Sequence, residues 1–196
     1  MDMVIKKIKK EALDDNVPII MDDGIEFLNK FIAEHECKNI LEIGSAVGYS
    51  AIMMASQSKD IHVTTVEKDE DRYRKALENI KKTDLEAQIT LIYNDALNIK
   101  LDDTYDLIFI DAAKSQNIKF FQKFDLNLKS HGFIITDNLN FHGLVDKELE
   151  EIESKNVRGI VRHIREFKEF LIENNYYETI FYDVGDGLSV SEKIKE

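Results

Sequence analysis

Apolar positions recur every three or four residues over the first 36 positions and then contract into short runs. Val4, Ile5, Ile8, Ala12 and Leu13 predict a helix over 2–14. Pro18, within Asn16 to Ile20, breaks it. Ile25, Leu28, Phe31 and Ile32 predict a second helix over 22–36, with Asp22 and Asp23 as first-turn acids. Short strand-like runs then follow at 39–43, 61–66, 88–93, 106–111 and 132–137. Helical patterns separate them at 49–58, 70–82 and 117–128. Leu107 to Ile110 is a continuous apolar run, which suits a parallel strand covered on both faces. Residues 147–174 read as mainly helical with an interruption near 156–159. Strands at 177–184 and 188–191 flank Gly185-Asp-Gly187, a hairpin signal.

Strands alternating with helices predict an α/β fold, a doubly wound parallel sheet with helices on both faces. The final hairpin adds an antiparallel member. Without repeats or linker-like stretches, residues 1–196 read as one domain, and 1–36 as an N-terminal helical extension.

Composition narrows the function classes. The formal charge is −12, from 26 basic and 38 acidic residues, which argues against generic nucleic-acid binding. Two local basic clusters remain, Lys6 to Lys10 and Arg158 to Lys168, each of which reads by itself as a solvated helix face. The single cysteine, Cys37, excludes an intrachain disulfide and fits a reducing compartment. No apolar stretch reaches the roughly 20 residues of a membrane span, so the expected location is cytoplasmic.

The chemistry collects at predicted strand ends. The first strand runs into Gly44, and Gly44 and Gly48 frame a strand-to-helix turn that lets a ligand approach the backbone. The spacing Gly-x-x-x-Gly lacks the close-approach glycine of a dinucleotide site. Glu67, 23 residues after Gly44, ends the second strand where an acid can accept from ribose hydroxyls. Asp95 follows the third strand and can accept from an adenine amino group. Together these describe a nucleoside without phosphates, such as S-adenosylmethionine, whose sulfonium suits an acidic pocket.

The next two strands end in Asp111 and in Asp137-Asn138. Two carboxylates and an amide oxygen suit a hard cation such as Mg²⁺. Lys114, three residues after Asp111, can fold back over that site. A neighbouring cation disfavours a charged lysine, so Lys114 can act as general base toward a substrate hydroxyl. His142 stands just beyond the metal set as a loop histidine. His35, His62 and His131 read as surface residues, and Cys37 has no partner base.

Four segments carry a resemblance. Leu41-Glu-Ile-Gly-x-x-x-Gly-Tyr-Ser50, Phe109-Ile-Asp-Ala-Ala-Lys114, Ile135-Thr-Asp-Asn138 and Val184-Gly-Asp-Gly-Leu188 resemble the cation-dependent O-methyltransferases related to catechol and caffeoyl-CoA O-methyltransferases. The resemblance implies a Rossmann-like class I methyltransferase fold, seven-stranded and mostly parallel with an antiparallel last strand. It implies S-adenosylmethionine contacts at Met21, Gly44, Ser50, Glu67, Asp95, Ala96 and Asp111. It implies Asp111, Asp137 and Asn138 as metal ligands, Lys114 as base, and a homodimer. Asn16 to Met21 and Val157 to Arg165 are similar to the bacterial branch that methylates 5-hydroxyuridine at the wobble position of tRNA, whose 5-oxygen and 4-oxo group can chelate a metal. That branch supplies the leading substrate expectation, with the Arg158 to Lys168 run lining the RNA path. A small catechol-like phenol is the alternative.

Overall fold

A computed structural model describes residues 1–195. Its strands are β1 (Asn39–Ile43), β2 (His62–Glu67), β3 (Ile89–Tyr93), β4 (Tyr105–Ile110), β5 (Leu128–Thr136), β6 (Tyr177–Tyr182) and β7 (Leu188–Lys193). Its helices are α1 (Asp2–Asp14), α2 (Asp22–Glu34), α3 (Tyr49–Ala55), α4 (Glu70–Lys82), α5 (Asn117–Phe124) and α6 (Lys155–Glu173). All seven strands join one sheet in the order β3-β2-β1-β4-β5-β7-β6. β1 to β5 pair in parallel, while β7 is antiparallel to both β5 and β6. This is the Rossmann-like, seven-stranded and mostly parallel architecture expected of the sequence. Among the described residues no helix is long and apolar enough to cross a membrane.

The apolar runs explain the layers. Successive residues of a strand face opposite sides, so Leu107 and Phe109 of β4 pack with α1, α2 and α3 while Ile108 and Ile110 pack with α5 and α6. All four are inaccessible to solvent. The α1 and α2 segment contributes Ile8, Leu28 and Ile32 to the first of these cores. The second is aromatic, built around Phe120, Phe121, Phe124 and Phe167. The chain runs outward from β1 to β3, then returns to place β4 on the other side of β1. The carboxyl ends of β1 and β4 therefore border the topological switch point, where open α/β sheets bind ligands.

The largest differences from the sequence reading lie in β5, α5 and α6. β5 begins at Leu128, not at 132, and reaches Phe133 through a register shift against β4. Its polar start is held by Lys129, whose Nζ donates to Asp106 Oδ1 at 2.6 Å. α5 ends at Phe124 and gives way to a short 3₁₀ turn. α6 runs through Asn156 to Gly159 without interruption, so the break falls earlier, before Lys155. Ser154 Oγ caps the helix by accepting from the Val157 N–H at 3.4 Å. Val161, Ile164, Phe167 and Leu171, spaced three and four apart, bury one stripe and carry the helix past its glycine.

Both basic clusters are largely committed to contacts within the fold. Lys7, Lys9 and Lys10 pair with Glu11, Asp22 and Asp14. Arg165 donates to the carbonyls of Val145 and Lys147, and Arg158 to that of Ile152. These guanidinium groups tie the 145–152 segment to α6.

Candidate active site

A cavity of about 630 Å³ opens at the switch point. Gly44, Ser50, Glu67, Asp95, Ala96, Asp111, Lys114 and Asn138 all line it, and Met21 closes it from the N-terminal side. The turn after β1 supplies its floor. Gly44 has φ +100°, and a Cβ there would lie 2.3 Å from the Asp111 carbonyl oxygen. Only glycine lets the β1 turn and the β4 end approach this closely. Gly48, at φ +81°, starts α3 and abuts Ala76 at the distance of a tight contact.

Glu67 is buried at the end of β2. Its Oε2 accepts from the Ala46 N–H at 2.8 Å, and its Oε1 accepts from the Lys68 and Asp69 N–H groups at 2.9 Å each. A carboxylate oxygen has two lone pairs, so Oε1 is filled and Oε2 keeps one free position. The sequence reading gave Glu67 two ribose hydroxyls. The fold leaves one unshared acceptor position because the carboxylate also ties down the turns after β1 and β2. Asp95 Oδ1 accepts from the Leu97 N–H at 2.8 Å, so it caps the following turn while facing the cavity.

The residues expected to hold a metal are brought together by sheet register. Ile110 pairs with Thr136, which sets Asp111 beside Asp137. Asp137 N–H donates to the Ile110 carbonyl at 3.1 Å, and Asn138 N–H to Asp137 Oδ1 at 2.6 Å. Asn138 adopts φ +62°, a left-handed turn that brings it to the cavity wall. Asp137 itself is only 2 % exposed and stands behind that wall. Burial and the neighbouring Asp111 charge push its carboxyl well above the usual carboxylate range, with Lys114 offsetting part. Lys114 Nζ donates to Asp111 Oδ1 at 3.1 Å, a salt bridge that engages the proposed base.

These residues fit a divalent cation. The donor set is all oxygen, and its crowded negative charge is what a bound cation relieves. It comprises two carboxylates and an amide; among the described residues no three His, Cys, Asp or Glu side chains form a metal cluster.

Two acids were passed over in the sequence. Glu42, inside the β1 motif, is fully enclosed; Ser50 Oγ and Thr65 Oγ1 donate to its two oxygens at 2.5 Å each. Burial pushes its carboxyl up to about 7. Ser50 thus spends its proton on Glu42 and faces the cavity as an acceptor. A polar residue in an otherwise apolar strand was the available signal. Asp186, in the β6–β7 turn, also lines the cavity. His142 lines it as well, whereas His35, His62 and His131 are exposed away from it.

Known proteins share this fold. The O-methyltransferase family model matches residues 2–194. A caffeoyl-CoA O-methyltransferase of Populus kitakamiensis is 28% identical over 95% of this chain and 82% of its own length. A flavonoid 3',5'-methyltransferase of Vitis vinifera is 25% identical over 91% of this chain and 79% of its own. A crystal structure from Staphylococcus aureus, of a candidate caffeoyl-CoA O-methyltransferase, superposes with a TM-score of 0.93 at 39% identity, covering 96% of this chain and 91% of that one. The chain therefore belongs to the O-methyltransferase family and is an enzyme that takes its methyl group from S-adenosylmethionine.

Proposed function

We propose that the protein methylates a hydroxyl of a small catechol-like phenol, with a divalent cation such as Mg²⁺ as cofactor. The observation that carries this reading is one cavity lined on one side by Gly44, Glu67 and Asp95 and on the other by Asp111, Lys114 and Asn138. Gly44, Ser50, Glu67, Asp95, Ala96 and Met21 would hold S-adenosylmethionine, and Asp111 would border both ligands. Asp111, Asp137 and Asn138 would hold the cation, which when bound favours the deprotonated form of a hydroxyl. Lys114 would take the proton from that hydroxyl as a neutral amine, released from Asp111 and having given its own proton to solvent. Phe120 and Phe141, also on the cavity wall, offer apolar faces to an aromatic ring. Holding the hydroxyl oxygen in line with the methyl carbon is catalysis by positioning.

A small phenol is favoured over tRNA for two reasons. The relatives of Populus kitakamiensis and Vitis vinifera are named for caffeoyl and flavonoid substrates, both phenolic. Arg158 and Arg165, which would line an RNA path, donate instead to the carbonyls of Ile152, Val145 and Lys147. The test is methyl transfer from labelled S-adenosylmethionine to a catechol panel and, in parallel, to tRNA carrying 5-hydroxyuridine, each with Mg²⁺ and with EDTA. Transfer to a catechol that stops with EDTA is the expected result. Transfer to tRNA alone moves the assignment to the wobble nucleoside, and full activity in EDTA refutes the cation's role.

A further inference from the structure

The turn between β6 and β7 reaches the active site from the far end of the chain. Asp186, at its centre, is 5 % exposed, and its Oδ1 accepts from the His142 N–H at 2.5 Å. The Asp186 carbonyl accepts from the Asn140 N–H at 2.8 Å, and the Gly187 carbonyl from the Leu139 N–H at 2.9 Å. Asn140 Nδ2 donates to Asp183 Oδ1 at 3.0 Å. A Cβ on Gly187 would lie 2.6–2.8 Å from three Asn140 atoms, so the two segments dock as closely as backbones allow. The β6–β7 turn thus holds the segment 139–143 at four points.

That segment needs holding. Asn138, Phe141, His142 and Gly143 have φ of 62°, 45°, 57° and 75°. Three of the four carry a Cβ, for which left-handed backbone is unfavourable unless surrounding contacts fix it. Asn138 lines the cavity just ahead of this segment, and Phe141 lines it from within. Of the four contacts, two come from backbone carbonyls and one from the exposed Asp183; Asp186 supplies the acceptor from a buried side chain and engages the left-handed His142.

We infer that Asp186 is a positioning residue: its carboxylate fixes the 139–143 segment in the conformation that presents Asn138, and so sets cation affinity without being a ligand. The inference rests on the proposed cation role of Asn138. Asp186→Ala removes the acceptor. Asp186→Asn keeps an oxygen for the His142 N–H and removes the charge. Amide hydrogen exchange over 139–145 in cation-free protein reads the hold directly. Mn²⁺ binding, followed by electron paramagnetic resonance, reads its consequence, and S-adenosylmethionine affinity serves as a control on folding.

Asp186→Ala should exchange faster at His142 and its neighbours and bind Mn²⁺ about 10- to 100-fold more weakly, with cofactor affinity kept. Asp186→Asn should keep exchange protection and lose less Mn²⁺ affinity. Should the alanine variant not fold, Asp186→Ser, too short to reach the His142 amide, takes its place. Unchanged exchange and Mn²⁺ affinity in the alanine or serine variant overturns the inference, as does an asparagine variant equally impaired in both. If the unaltered protein binds no Mn²⁺, the cation role of Asn138 fails by itself. The exchange comparison then still decides whether Asp186 holds the segment.

Discussion

Replacing Glu42 by glutamine keeps its shape and removes its charge, and the effect on stability should depend on pH in a defined direction. Glu42 is completely enclosed, and among the described residues the groups bonded to its two oxygens are the hydroxyls of Ser50 and Thr65. Burial pushes its carboxyl from 4.5 to about 7; the two hydroxyl bonds offset part of this, and Asp111 and Glu67 add like charge. At about 1.4 kcal/mol per pH unit, the displacement is about 3 kcal/mol. Below pH 4.5 the folded and unfolded chains both hold the proton, and there is no penalty. Between 4.5 and 7 the unfolded chain ionises while the folded one does not, so stability falls as pH rises; above about 7 the loss is complete. Glutamine carries no such loss. Glu42→Gln should therefore gain on the unaltered protein by about 2–3 kcal/mol between pH 5 and pH 8. Urea unfolding followed by circular dichroism at both pH values measures this. Asp137, also raised, is present in both proteins and leaves the difference except through the shared neighbour Asp111. A stability difference that stays flat from pH 5 to pH 8, or runs the other way, refutes the reasoning.

Four further outcomes are expected. Asp137→Ala should lower cation-dependent turnover by about 100-fold or more while calorimetry shows cofactor binding intact; a matching loss of cofactor affinity would instead make Asp137 a structural support. Glu67→Ala should weaken S-adenosylmethionine binding by about 1.5–3 kcal/mol for the lost charged hydrogen bond, and an unchanged affinity would remove Glu67 from the ribose. Gly44→Ala sets a Cβ 2.3 Å from the Asp111 carbonyl at φ +100°, and should cost about 3 kcal/mol or more in denaturant unfolding. Cys37 is buried and its thiol is pushed up to about 12, chiefly by burial, so a disulfide reagent should label it only when the protein unfolds.

Much of the site was legible because its residues close apolar runs. Val66-Glu67, Ile110-Asp111 and Thr136-Asp137 each mark where a buried strand meets its functional edge, and the sheet aligns those edges. Gly44 was legible as the glycine that ends such a run, and the Asp111 carbonyl leaves no room there for a Cβ. What escaped depends on contacts between distant segments. Glu42 reads as one letter of a motif until Thr65 and Ser50 are folded against it. Asp186 reads as a hairpin residue until residue 142 arrives beside it. The start of β5 was hidden by Lys129, Ser130 and His131, whose polarity conceals a strand paired at its edge by an ion pair. Gly159 looked like a break because helix propensity is local, whereas the stripe from Val161 to Leu171 is settled by the core.

The position of β7 in the sheet bears on how the enzyme comes to life on the ribosome. It is the last of the seven strands to be synthesised, yet it sits between β5 and β6 and not at the edge. A nascent chain that has emerged through β6 can build β1 to β5, with Gly44, Glu67 and Asp111 already aligned, but β6 has no strand to pair with. The turn bearing Asp186 is delivered with the final strand. The carboxyl ends of β1, β2 and β4 can thus come together before β7 is made, while the segment following Asn138 is fastened only when β7 arrives.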